Sequence, residues 1–390
     1  MLSRWMCVVC AISLISPAMA QPRYRVEDKG ASGDVTTPVD EYGTYLRGIN
    51  NLGEAVGYSR YKAPGKIGEK VIRTTTTAAF EDITSKFGTG LTGRGYATND
   101  RGAVVAGYSR LSSSITSDIA LLNPDGSVRS LLATPFSLTR DMVIRRITNS
   151  GYVIGFERKS DSGETIGLPR MALPGGTLNL FPGFNNLSSA FPMGINESGS
   201  AVGFSSIGWN GEARPLNPYA WYRRGGQFIP FDFEQDGTTF TDVNDQEIIC
   251  GTSEALVEVP GGGLRLQYTP YFLNGITKQR TMFTPIEPDV PFLFEDINNL
   301  NVAIGNSASI PKISHGTTMI TLQSTLDAQD NADWQLLGVS QINDRNQIAG
   351  WAKRKNSPYI HGVILQPVPE PATLAALSLG AAVLLRRRRR

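Results

Sequence analysis

Few residues in this 390-residue chain have types and spacings that a reaction could use. There are two histidines, His315 and His361, too few for a multi-histidine metal site and a poor basis for a Ser-His-Asp relay. His361 falls in a run expected to form a strand, where a hydrogen-bonded structural role suits it. Two of the three cysteines, Cys7 and Cys10, lie in an N-terminal run expected to be removed. Cys250 is then left alone, and one thiol forms no internal disulfide. It fills a slot that holds Val56 or Ile154 in other repeats, so it reads as a small hydrophobe rather than a nucleophile. The carboxylate pairs Glu81-Asp82 and Glu295-Asp296 have the residue type for glycoside hydrolysis. Each flanks an expected strand, where solvation or turn bonding accounts for it. The clusters Asn123-Pro124-Asp125-Gly126 and Asp242-Val243-Asn244-Asp245 lack the alternating oxygens of a calcium loop and read as turns. No phosphate-cradling or dinucleotide motif occurs. No catalytic residue, cofactor or metal ligand is therefore expected. Trp209, Trp221 and Trp351, with Tyr222 and Trp334, are the candidates for a ligand face, because aromatic rings stack on sugars. Core packing is their competing use.

The elements that must position these residues repeat. The phrase Ile49-Asn50-Asn51-Leu52-Gly53 through Gly57 recurs from Thr98-Asn99, Thr148-Asn149, Ile195-Asn196, Val243-Asn244, Ile297-Asn298 and Ile342-Asn343. Taking Asn50, Asn99, Asn149, Asn196, Asn244, Asn298 and Asn343 as anchors gives spacings of 49, 50, 47, 48, 54 and 45 residues. Periods of this size mark solenoids or propellers. A β-branched residue ends one strand, and Asn opens a turn by bonding backbone ahead of it. Gly53, Gly102 and Gly199, or Asn301 and Asn346, then supply a positive φ. The following strand carries two adjacent apolar residues before its Gly, from Ala55-Val56 to Ile348-Ala349. Neighbouring strand residues face opposite ways, so both faces must be covered, as in a sheet packed between two others. Further hairpins around Ala78-Ala79-Phe80, Ile119 to Leu122, Tyr219 to Tyr222 and Tyr271 to Leu273 bring each repeat to four strands, the content of a propeller blade. The seventh repeat ends one strand short at His361 to Leu365, and a spare strand, Tyr24 to Asp28, stands at the other end. Pairing the two removes exposed sheet edges. The expected fold is all-β: a seven-bladed propeller of four-stranded blades, closed by an N-terminal strand, with signal helices at both termini.

The repeats resemble the HAF-type extracellular repeat, with its Ile-Asn-x-x-Gly-x-x-x-Gly turn and later His-Ala-Phe strand. The turn matches across about 320 residues. The triplet is degraded to His361-Gly362-Val363, Tyr219-Ala220-Trp221 and Ala78-Ala79-Phe80. No activity is carried over with the resemblance.

The two ends are addresses. Residues 1–20 combine Arg4, an apolar run and Ala18-Met19-Ala20, the order of a secretory signal, with cleavage by signal peptidase expected after Ala20. At the other end stand Pro369-Glu370-Pro371, an uncharged stretch from Ala372 to Leu385, and Arg386 to Arg390. This tail, residues 368–390, resembles the PEP-CTERM sorting signal. The resemblance implies cleavage near Pro369, Glu370 and Pro371 by an exosortase, a Gram-negative-type envelope, and export alongside extracellular polysaccharide. Its apolar stretch reaches about 21 Å as a helix against a hydrocarbon core of ~30 Å, which suits transient inner-membrane retention better than a permanent span.

The ends also distort the charge. Of 37 basic residues, Arg4 and the last five arginines lie outside the body, as does Glu370 of the 35 acidic ones, so residues 21–367 carry about −3. A body so balanced has no bulk field to collect phosphates, and no nucleic-acid partner is expected. Three uses remain open for a secreted or surface protein of this build. It is a non-catalytic propeller that binds polysaccharide or protein through loops at one ring face, a hydrolase or lyase drawing on channel carboxylates, or a structural matrix component.

Overall fold

The computed structural model describes residues 21–31, 43–63, 66–75, 80–110, 118–132, 140–161, 164–183, 189–205, 219–229, 237–258, 262–284 and 290–369. The two expected signal helices, the Ala18 and Ala20 cleavage positions, Glu370, Pro371 and Trp209 lie outside these residues. Among the described residues no helix is long and apolar enough to cross a membrane.

Residues 24–367 form seven four-stranded antiparallel sheets arranged as the blades of a propeller. The innermost strands are Thr44–Ile49, Leu91–Thr98, Arg140–Ile147, Ala190–Ile195, Gly237–Val243, Phe292–Ile297 and Trp334–Ile342. Both members of each apolar pair on the second strand are buried, for example Ala55 and Val56, Val153 and Ile154, and Ile348 and Ala349. They serve opposite neighbours. Ala55 packs with Ala349 and Ile364 of blade seven, whereas Val56 packs with Val104 and Ala106 of blade two. Each buried Val or Ile contributes about 1.5–3 kcal/mol, so inter-blade contacts carry the fold, and among the described residues the cysteine, Cys250, is a free thiol.

Blade seven takes its outermost strand from the N-terminus. Tyr24–Asp28 pairs antiparallel with Ile360–Pro367, in register from Tyr24 opposite Pro367 to Asp28 opposite Val363. Three contacts pin this strand. Tyr24 is 1% exposed in a cluster with Leu326, Trp334 and Leu365. The carboxylate of Asp330, in the short helix Ala328–Asp333, accepts from Val26 N–H at 2.6 Å. His361 Nδ1 meets Asp28 Oδ1 at 3.0 Å, with its imidazole edge-on to Trp334. Histidine thus serves ring closure. His315 sits on blade six, at a hairpin end opposite Thr318.

Every inner strand carries a β-bulge, three residues before the turn anchor. The register slips at Arg47, Tyr96, Arg145, Met193, Thr241, Glu295 and Ser340. A bulge leaves one residue out of the ladder and re-aims its neighbours. It also brings the inner backbone against the second strand. A β-carbon at Gly57 would collide with the Tyr45 carbonyl, and one at Gly305 with that of Leu293. The Gly that closes the repeat phrase answers this close approach in six blades; in blade two Gly107 instead faces the side chains of Tyr96 and Ile119.

Candidate ligand site at the channel mouth

The inner strands surround a central channel with two chemically different mouths. Where the inner strands end, the turn residues form two belts of hydrogen bonds. In the first, Asn50 Oδ1 accepts from the N–H groups of Leu52 and Glu54, and its Nδ2 donates to the Asn99 carbonyl of the next blade at 3.0 Å. Asn99, Asn196, Asn244, Asn298 and Asn343 donate in the same way, the last back to Asn50 at 2.8 Å. Asn149 is not part of this belt. In blade three Thr148 takes the anchor position, its N–H bonding the Tyr152 carbonyl as Asn50 N–H bonds that of Glu54. The neighbouring Thr-Asn letters invited a one-residue misregistration. Thr148 has no amide to donate, and Ser150 Oγ bonds the Glu197 carbonyl instead.

Asn149 belongs to the second belt, which the sequence reading missed. The residues one beyond the anchors are Asn51, Asp100, Asn149, Glu197, Asp245, Asn299 and Asp344. The backbone N–H of each donates to the side-chain oxygen of the next, at 2.6–2.9 Å, and Asp344 closes on Asn51. The signal was present: an amide or acid stands at this place in all seven repeats.

Beyond the belts lies a buried ion-pair cluster. Arg146 of blade three reaches across to Asp242 of blade five and Asp296 of blade six, the latter at 2.7 Å. The two carboxylates also accept from backbone of the following blade, Asp242 from Ile297 N–H at 3.1 Å and Asp296 from Ile342 N–H at 2.7 Å. Burial pushes the Asp296 carboxyl well above its usual range; Arg146 opposes this and the Asp242 charge adds to it. Asp242 Oδ1 is buried without a hydrogen-bond partner.

The other mouth opens on the side of the long hairpins, which reach nine residues per strand in blades one and three and eleven in blade five. It encloses about 250 Å³. Six of the seven bulge residues line it, all except Thr241, together with Tyr58, Arg94, Arg146 and Arg158. Five arginines thus face three carboxylates there, Asp242, Glu295 and Asp296. Arg145 pairs with Glu295 across the channel at 3.4 Å, and Arg94 pairs with Glu69. Arg47 and Arg158 are exposed, and among the described residues neither has a carboxylate partner.

Rings hold several of these guanidinium groups. Arg47 lies 5.2 Å from the Trp351 ring centroid and 5.7 Å from that of Tyr58. Arg60 and Arg94 approach Tyr58 at 5.6 and 5.1 Å. Trp351 is therefore covered by Arg47 on one side, while Gly338 lies directly against its ring. It acts as a support for an arginine instead of an open stacking face. Trp221 is 8% exposed and packs between Phe181 and Phe228. The remaining chemically interesting residues lie away from the mouth. Cys250 is buried beside Thr241, and burial drives its thiol well above the usual range. Glu81 and Asp82 are exposed on an outer strand, Asp82 near Lys70.

Residues 367–390 match the model of the PEP-CTERM protein-sorting motif. No curated protein matches the chain by sequence. Among solved structures, the β-propeller domain of the Trilobed protease from Pyrococcus furiosus, described as having an open velcro topology, gives a TM-score of 0.51 at 10% identity over 85% of this chain and 99% of that one. Pyrococcus horikoshii acylaminoacyl peptidase gives 0.49 at 13%, covering 86% and 54%. Virginiamycin B lyase from Staphylococcus aureus gives 0.45 at 8%, covering 88% and 99%. These likenesses concern the fold alone. The motif implies processing by an exosortase and a secreted or cell-surface destination. The chain is a seven-bladed β-propeller bearing a PEP-CTERM protein-sorting motif at its C-terminus.

Proposed function

We propose that this is an exported binding propeller of the cell surface or extracellular matrix, non-catalytic, with its ligand site at the arginine-lined channel mouth. In this reading signal peptidase removes residues 1–20, the tail holds the chain at the inner membrane until an exosortase cuts near Pro369 to Pro371, and residues 21–367 are released or displayed as a propeller of HAF-type repeats. The observation that carries it is the contrast between the two mouths. At the turn mouth the ring of side chains is spent on blade-to-blade bonds, whereas at the hairpin mouth Arg47 and Arg158 are exposed and, among the described residues, without carboxylate partners. Exposed charged groups held on rigid strands are what a binding face requires. The test is retention by immobilised matrix glycans and envelope proteins. The wild type should be retained and a variant carrying Arg47→Gln and Arg158→Gln released. Retention of neither protein by any partner would refute the reading.

One observation favours the alternative, a polysaccharide hydrolase or lyase. Asp296 is held toward its protonated form in the channel, the state a general acid needs. Turnover of a glycan by the wild type, abolished by Asp296→Asn in a folded protein, would establish it.

A further inference from the structure

Taking the hairpin mouth as the ligand site, we propose that its ligand is a carboxylate-bearing saccharide, a chain containing uronic acid units, with Arg47 and Arg158 engaging the sugar carboxylate. The proposal deepens the binding reading above and rests on it. Three features select this chemistry. First, a guanidinium held over a ring keeps in-plane N–H groups for a planar acceptor; Arg47 lies 5.2 Å from the Trp351 ring centroid, and among the described residues only its Nη2 is engaged, donating to Tyr58 Oη at 3.4 Å. Second, the mouth is not uniformly cationic. Glu295, held by Arg145 and by Asn306 at 3.2 Å, faces the same space as Ser340 and Gln341. A bare polyanion meets repulsion from Glu295, whereas a ligand with hydroxyl groups can donate to it while its own carboxylate meets the arginines. Third, a volume of about 250 Å³ falls just below small-molecule pockets of about 300–1,000 Å³. That is room for a sugar unit or two, not for a folded partner.

The experiment is calorimetric titration of the purified chain with galacturonate, guluronate, mannuronate and glucuronate oligomers, their neutral methyl esters, and poly-L-glutamate. At least one uronate oligomer should bind, its ester at least tenfold more weakly. Losing charge-assisted hydrogen bonds to a carboxylate weakens affinity by roughly tenfold to a hundredfold per arginine, so R47Q and R158Q should each show a loss of that order. Both residues are exposed, and unfolding midpoints near the wild-type value would confirm that the variants fold. Raising the salt from 50 to 500 mM should weaken binding of the acid and leave the ester unchanged. Equal affinity for acid and ester, with both lost in the arginine variants, would overturn the uronate assignment while leaving the mouth as the binding site. Poly-L-glutamate binding as tightly as the best uronate would overturn the saccharide class. Glycan binding untouched by either arginine variant would sink both the assignment and the site.

Discussion

The Arg146 cluster offers a decisive test of how the channel is held together. Replacing Arg146 by Met keeps length and apolar volume but removes the cation shared by Asp242 and Asp296, which are 1% and 2% exposed. Breaking a buried pair from one side costs about 3–5 kcal/mol, because a buried charge is left uncompensated. Without Arg146, burial and the neighbouring Asp242 charge push the Asp296 carboxyl higher still above its usual range. The sign follows from linkage. A carboxyl whose folded pKa is raised loses stability as pH climbs from its unfolded value, near 4, toward the folded one. The deficit of R146M relative to wild type should therefore be full at pH 7 and fall to about 1 kcal/mol or less near pH 4. Urea unfolding at both pH values measures it, each variant compared with wild type at the same pH. In a triple variant R146M/D242N/D296N, amide oxygens can still accept from Ile297 and Ile342, so most of the loss should return. A deficit equal at both pH values, or a triple variant no more stable than R146M, would refute the argument that electrostatics, and not packing, sets the cost.

Four further outcomes follow from the same structure. Tyr24→Ala empties a fully buried site on the closing strand and should destabilise by about 3–5 kcal/mol in denaturant titration, with early proteolysis at the N-terminus. Thr148→Asn restores the missing amide of the inner belt toward Asn196 and should raise stability by about 0.5–1 kcal/mol, read as a higher urea midpoint at unchanged slope. Burial works against it, but hydrogen bonds from His361 and Gly30 hold the Asp28 carboxyl below its ordinary value. Its stabilising contribution is thus complete at neutral pH and lost as pH falls below about 4, so amide protection of Tyr24 to Asp28 should drop there in wild type but not in Asp28→Asn. Cys250, buried with a raised thiol pKa, should resist iodoacetamide at pH 8 until the protein unfolds; prompt alkylation would contradict its placement.

The blades were legible in the sequence because their determinants are local and repeated. Ile-Asn announces the turn, and Ala55-Val56 or Ile304 beside Ala303 announces a strand covered on both faces. The left-handed turn position was read at Gly53, Gly102, Gly199, Asn301 and Asn346, all of which have positive φ. The structure adds Gly151 and Glu247, the latter a non-glycine residue at φ 60° whose carboxylate accepts from Ser200 at 2.9 Å and from Tyr222. Those bonds offset the cost of a backbone region that Glu seldom adopts. The site was not legible, because what builds it is a register slip. Period-2 alternation assigns Arg47 and Tyr96 to one face or the other, while the bulge takes them out of the alternation and turns them to the channel. Trp351 was misjudged for a related reason. Sequence displays the ring but not the guanidinium that comes to lie on it from blade one.

The same slip explains why chemistry gathers at one mouth. Anchor and belt positions are uniform across the blades, six Asn and one Thr, then seven amides or acids, because each must bond the next blade. The bulge position holds Arg, Tyr, Arg, Met, Thr, Glu and Ser. A residue outside the ladder with its side chain toward the channel has few packing demands, so changing it costs the fold little. A ring built this way can hold its shape through the turns while its bulges acquire a ligand. Exchanging a bulge residue that makes no such bond, for example Met193→Arg, should therefore alter ligand affinity with the unfolding midpoint almost unmoved, whereas Asn298→Ala, which removes the side-chain bonds to Leu300, Val302 and Asn343, should cost about 1–3 kcal/mol. Comparable losses of stability at both kinds of position would mean that the bulges hold the ring as firmly as the belts do.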